Sequence, residues 1–128
     1  MIDSAQEAVA AFQKWNDAWN ARDTETQISQ MHFPHLRLVR NNVFNKWETS
    51  DDFRATEEAT TTRLSAEGWH HTSTLSVDAV QVGPEKVHLV IRQSRQHADG
   101  TEYNGFDTLW IFTKIDGRWG VQFRSTFL

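Results

Sequence analysis

The sequence predicts an α+β fold: a cone-shaped, curved, mostly antiparallel mixed sheet of about six strands wrapped around three N-terminal helices. Three observations predict it. Helical spacing of apolar residues is confined to the first half of the chain. The stretch 69–127 reads as four long strands. Those strands are separated by the turn signals Gly83-Pro84, Asp99-Gly100 and Asp116-Gly117, of which Asp-Gly suits a type I′ hairpin because both central residues need φ > 0. Helices grouped ahead of hairpin-linked strands place the helices on one face of the sheet, and twist curls a long sheet around them.

Ser4-Ala5-Gln6-Glu7 has the pattern of a capping box. The helix it opens puts Ala8, Phe12, Trp15 and Trp19 on one face and ends near Arg22. Thr24 to Gln27 repeats the box and starts a short second helix, which buries Ile28 and Met31 and is stopped by Pro34. Residues 36–40 and 43–48 form a hairpin over Asn41-Asn42, since Asn tolerates the left-handed conformation. A third helix starts at Thr49 or Ser50, with Asp51 and Asp52 at the positive end of its dipole, and closes at Gly68. No linker, repeat or low-complexity stretch interrupts the chain, so residues 1–128 are read as a single domain.

Bulk properties narrow the function classes. The net charge is −4 with no long basic run, which argues against a nucleic-acid partner. There is no Cys, which rules out disulfides, thiol nucleophiles and thiolate zinc sites. Neither HExxH nor any other ligand-like spacing appears among the six His, so no metal is expected. No Gly-rich phosphate loop or GxSxG is present, and no cofactor is expected. The start of the chain lacks the pattern of a signal peptide and no apolar run is long enough for a bilayer, which leads to the expectation of a cytoplasmic protein without membrane association.

Alternation along the four strands collects one inner row: odd-numbered residues in the third, fourth and sixth strands, even-numbered ones in the fifth. The row is apolar at one end and polar at the other. Gln93 and Arg95 continue Val87, Leu89 and Ile91, with Ser73 expected opposite Arg95 and Asn104 beside it. Arg95 either sits at a wet rim or pairs with a helix carboxylate, or it offers a guanidinium fork to a ligand. Trp15, Trp19, Trp69, Phe106 and Trp110 either fill the core or wall an apolar cavity. His32, at the junction of the second helix and the first strand, and His71, on the inner row, are the candidate proton-transfer groups, since imidazole titrates near neutral pH. On the outer face Arg92 opposes Asp107 as a cross-strand ion pair. Around that pair, Val80, Val82, Val90, Leu109 and Ile111 form an apolar patch expected to pair two copies of the chain.

The order of elements, Trp15 on the first helix, and Asp116-Gly117-Arg118-Trp119 opening a last strand that runs through Arg124-Ser125 resemble an uncharacterised branch of the nuclear-transport-factor-2-like superfamily. That superfamily is also called SnoaL-like or ketosteroid-isomerase-like, and its fold cystatin-like. The resemblance implies a funnel for a small molecule and dimerisation through the outer sheet face. It does not carry over the isomerase chemistry. The helix position of the isomerases' Tyr matches Trp15, and the strand end expected to hold their Asp base reads Val39-Arg40. The expected function is therefore binding of a small molecule, with two alternatives. One is a cofactor-independent lyase, isomerase or cyclase acting on an apolar or aromatic carbonyl compound, with His32 or His71 moving a proton and Arg95 stabilising oxyanion charge. The other is a noncatalytic ligand-binding or dimerisation module whose pocket is largely filled by rings.

Overall fold

The structure, a computed structural model, describes residues 3–128. Helix α1 (Ser4–Asn20) is capped by Asp3, whose carboxylate accepts from the Gln6 amide while the Gln6 side chain accepts from the Asp3 N–H. The capping box is thus one residue earlier than the Ser4 pattern, as fits an Asp that competes well for the N-cap. Helix α2 (Thr24–Ser29) is likewise capped one residue early, by Asp23. It ends before Pro34, which lies inside strand β1 (Met31–Val39). Pro34 is tolerated there because the ladder between β1 and the last strand is interrupted between Met31 and Leu36, so no N–H is missed. Strand β2 (Val43–Trp47) follows a turn in which Asn41 and Asn42 have φ of 62° and 57°. Helix α3 (Ser50–Ala66) has a reciprocal box between Thr49 and Asp52, and Gly68 follows it at φ 93°.

Strands β3 (His71–Val82), β4 (Lys86–Gln96), β5 (Glu102–Ile115) and β6 (Arg118–Thr126) form an antiparallel meander. The β5–β6 turn has φ of 52° at Asp116 and 76° at Gly117, the signature of type I′. At Asp99-Gly100 only Gly100 is left-handed, and the loop is wider, closed by the His97 amide donating to the Thr101 carbonyl. Strand order is β2-β1-β6-β5-β4-β3, with β1 parallel to β6. This is the α+β architecture expected.

The concave side packs on α1 and on Phe53 and Leu64 of α3. Phe12, Leu64, Leu89, Ile91, Phe112 and Val121 are all nearly inaccessible, and each such side chain contributes about 1.5–3 kcal/mol by leaving water. Phe12 meets Trp110 edge-on at 5.0 Å.

Alternation holds through β4 and β5: Arg95 lies over the Phe106 ring at 5.4 Å, on the same side of the sheet. It fails at three bulges in β3 and β6, and the β4–β5 ladder shifts once more at Tyr103. In β3 the register slips at Leu75 and again at Val80. The residue opposite Arg95 is therefore Thr72, not Ser73, and His71 and Ser73 turn to the outer face. Val82 pairs with Val87 and shares the inner side, so it does not belong to the outer patch. In β6 an extra residue at Gln122 separates Phe123, opposite Ile111, from Val121, opposite Phe112. The phase reverses there. Arg124 and Thr126 face inward and Phe123 and Ser125 outward, because a bulge moves every later side chain to the other face.

Candidate functional site

Between α1, α3 and the concave sheet lies a cavity of about 650 Å³. This is an ordinary size for a site that encloses a small molecule. Its exposed lining residues, Lys46, Asp52, Ala55, Thr56 and Arg63, place the mouth along α3 and β2.

The wall divides chemically. One part is aromatic: Trp15 and Trp19 are stacked at 5.9 Å, Trp110 meets Trp15 edge-on at 4.9 Å, and Phe53, Trp47 and Phe106 continue the surface. The other part is polar. Arg37 reaches it from β1, Arg95 from β4 and Arg124 from β6, with Glu57 from α3 and Gln93 and Asn16 beside them. Gln93 donates to the Asn16 carbonyl oxygen at 3.1 Å, and Asn16 donates to the Thr72 backbone carbonyl at 3.1 Å, so the amides are locked by one another. Thr108 and Thr126 are 2.9 Å apart at their hydroxyls, and Thr108 also accepts from the Trp110 indole at 3.0 Å.

Arg124 is the deepest charge. Its Nε donates to His35 Nε2 at 2.9 Å, and its guanidinium lies 5.2 Å from the Trp15 ring and 5.5 Å from the Trp110 ring. An arginine only donates, so His35 Nε2 must be the unprotonated nitrogen and Nδ1 carries the hydrogen it gives to the Val121 carbonyl at 3.1 Å. Burial, and then the Arg124 charge, hold the His35 imidazole well below its ordinary range, in the neutral form. Burial with the nearby Arg37 charge pushes Arg124 down to about 9, and burial with the nearby Arg95 charge pushes Arg37 down to about 10. Arg95 is lowered by burial as well.

Two carboxylates line the cavity. Asp52 is occupied at the α3 cap, where it accepts from the Glu48 and Thr49 amides. Glu57 is buried, accepts from Gln27 Nε2 at 3.0 Å, and is pushed up by burial against the opposing pull of Arg124.

Of the residues singled out in the sequence, the cavity gathers Trp15, Trp19, Gln93, Arg95, Phe106 and Trp110. Trp69 is core behind it, donating to the Thr72 hydroxyl. His32 is held apart by Arg118: its Nε2 donates to the Arg118 carbonyl at 2.8 Å and its Nδ1 accepts from the guanidinium at 3.0 Å. His71 bonds Gln96 on the outer face at 2.8 Å, with Ser73 on the same Gln96 oxygen, and Asn104 does not reach the cavity. The structure thus brings neither His32 nor His71 together with Arg95.

Sequence reasoning missed Arg37 and Glu57, and gave His35 and Arg124 no role in the cavity. Glu57 was readable, since it lies four residues after Phe53 and seven before Leu64 on one helical face. Arg37 and His35 follow from the alternation of β1. Arg124 was concealed by the Gln122 bulge.

The family profile described as NTF2-like protein (DUF6841) matches residues 6–123. No curated protein matches the chain. Among solved structures, an NTF2-like protein with a cystatin-like fold from Novosphingobium aromaticivorans superposes with a TM-score of 0.76 at 15% identity, over 98% of this chain and 81% of that one. An NTF-2 like protein of unknown function from Shewanella oneidensis MR-1 gives a TM-score of 0.73 at 14% identity, over 97% and 98%. A cystatin-like protein of unknown function from Nostoc punctiforme gives 0.75 at 10% identity, over 95% and 88%. At these identities the likeness is one of fold.

Proposed function

The chain belongs to the NTF2-like family DUF6841, and from that premise we propose that it takes up a small, largely apolar or aromatic carbonyl compound in the funnel of its sheet. The observation that supports this most is the divided wall of the 650 Å³ cavity: rings on one side, locked amides and guanidiniums on the other. Rings that merely filled a core would leave no such space, and a site for a water-like solute would not need six indoles and phenyls.

A thermal-shift screen of aromatic and keto-acid compounds tests it. A compound present at a hundred times its Kd adds about 2.7 kcal/mol of stability, and the shift should vanish when Ala55→Trp, at the exposed mouth, blocks entry. No shift from any compound, or shifts unchanged by the block, would remove the reading.

Glu57 favours a catalytic version of the same function. A buried carboxyl with its pKa pushed up, held by one hydrogen bond and facing the cavity, has the properties of a proton-transfer group. It would take the role first expected of His32 or His71, while Arg95 and Arg124 steady developing oxyanion charge. Glu57→Gln should then abolish turnover of a bound compound and leave its binding intact.

The outer face supports self-association. Val90 is 42% exposed beside Leu109 across the β4–β5 ladder, with Ile111 and the bulged Val80 nearby. The Arg92–Asp107 pair, at 3.3 Å, borders this patch. We propose a twofold dimer through it.

A further inference from the structure

The cavity's chemistry goes further than its shape, on the premise that the cavity is a binding site. We propose that its ligand is a carboxylate on an aromatic body, and that Arg37, Arg95 and Arg124 receive the anionic group.

Three guanidiniums converge on one space, yet the ion pairs within 4 Å among the described residues join other groups: Lys46 with Glu48, Arg54 with Glu25 and Asp51, and Arg92 with Asp107. Arg124 gives its Nε to a neutral imidazole, which returns no charge. Arg37 Nε and Trp15 Nε1 are buried with no hydrogen-bond partner in the protein, and both residues line the cavity. Both atoms are donors. Glu57, the buried carboxyl lining the same cavity, accepts from Gln27 and makes no ion pair within 4 Å with any of the three.

Such a site needs two things that the chain does not provide: acceptor atoms for orphaned N–H groups, and negative charge among mutually repelling cations. A neutral carbonyl supplies the first only. A carboxylate supplies both, in a plane that suits a guanidinium fork. The aromatic wall selects the rest of the molecule: Trp15, Trp19, Trp110 and Phe106 offer ring faces and edges to a flat body.

Calorimetric titration of the full chain at pH 7 and low salt, with 2-naphthoate against 2-naphthamide and benzoate against benzamide, tests the proposal. In each pair the body is constant and only the charge changes. The acid should bind at least about tenfold more tightly than its amide, the margin expected for hydrogen bonds to a charged group. Arg37→Gln should remove most of that margin, weakening the acid more than the amide. If an amide binds and its acid binds no better, the anionic ligand is wrong and the binding site stands. If neither member of either pair binds, both readings fall. Should Arg37→Gln not fold, Arg95→Gln and the wild-type acid-to-amide ratio still decide.

Discussion

Arg124 is an expensive residue to keep. Its charge is buried among Trp15, Trp47 and Trp110 with only His35 as a hydrogen-bond partner. Replacing a buried charge by an apolar side chain of similar volume is often neutral or stabilising. Arg124→Met should therefore cost no more than about 1–3 kcal/mol in urea unfolding, the penalty for leaving His35 Nε2 buried without a donor, and it should abolish selection of acid over amide. A loss of several kcal/mol would mean that Arg124 is structural cement. His35 yields a sharper expectation. Its folded pKa lies well below the ordinary value, so below about pH 6.5 the unfolded chain takes up a proton that the folded chain refuses. The His35 contribution to stability is thus complete above about pH 6.5 and declines as the pH falls below it. Nitrogen-15 NMR should show the Nδ1–H tautomer of His35 persisting, neutral, at pH 5.5. An imidazolium there would contradict the Arg124 contact.

Among the elements, β6 decides what the sheet presents. Strict alternation puts Phe123 and Ser125 inside. The bulge at Gln122 puts Arg124 and Thr126 there instead. Nothing in Val121-Gln122-Phe123 marks the slip, because both phases carry an apolar residue and the choice is made by the ladder to β5 and the parallel pairing with β1. The same holds in β3, where the bulge at Leu75 sent His71 and Ser73 outward and that at Val80 turned Val82 inward. By contrast β4 and β5, with a clean Val87-Leu89-Ile91 and Phe106-Trp110-Phe112 rhythm, were legible throughout, as were the Thr49 cap of α3 and the Asp116-Gly117 turn. Periodicity and turn chemistry reveal fold. A site assembled by irregularities of register is only partly visible to them. Deleting Gln122 should remove the bulge and leave Phe123 opposite Ile111 and Arg124 inward opposite Trp110, so binding should persist with the helices intact by circular dichroism. Gly120 bears a different constraint from the same junction: a Cβ there would sit 2.7 Å from the Met31 backbone carbon. Gly120→Ala should destabilise the β1–β6 seam by about 1–3 kcal/mol, read as a lower urea midpoint.

For the whole molecule, the two faces of one sheet divide the work. The concave face holds the cavity, and the convex face exposes Val90 with Leu109 and Ile111 beside it. Among the described residues no helix is long and apolar enough to cross a membrane. Sedimentation equilibrium should report a dimer at micromolar concentration, and Val90→Glu should shift it to monomer with the cavity's affinity unchanged. A monomeric wild type would leave that patch without the proposed partner. The claim on which the rest turns is that the cavity holds a flat, anionic guest, and a crystal structure grown with 2-naphthoate tests it most directly. The account predicts the naphthalene against Trp15 and Trp110 with its carboxylate within about 3 Å of guanidinium nitrogens of Arg37 or Arg124, the ordinary length of a charge-assisted hydrogen bond. A naphthoate seated outside the funnel, or one with its ring inside and its carboxylate turned out to solvent at the mouth, would contradict it.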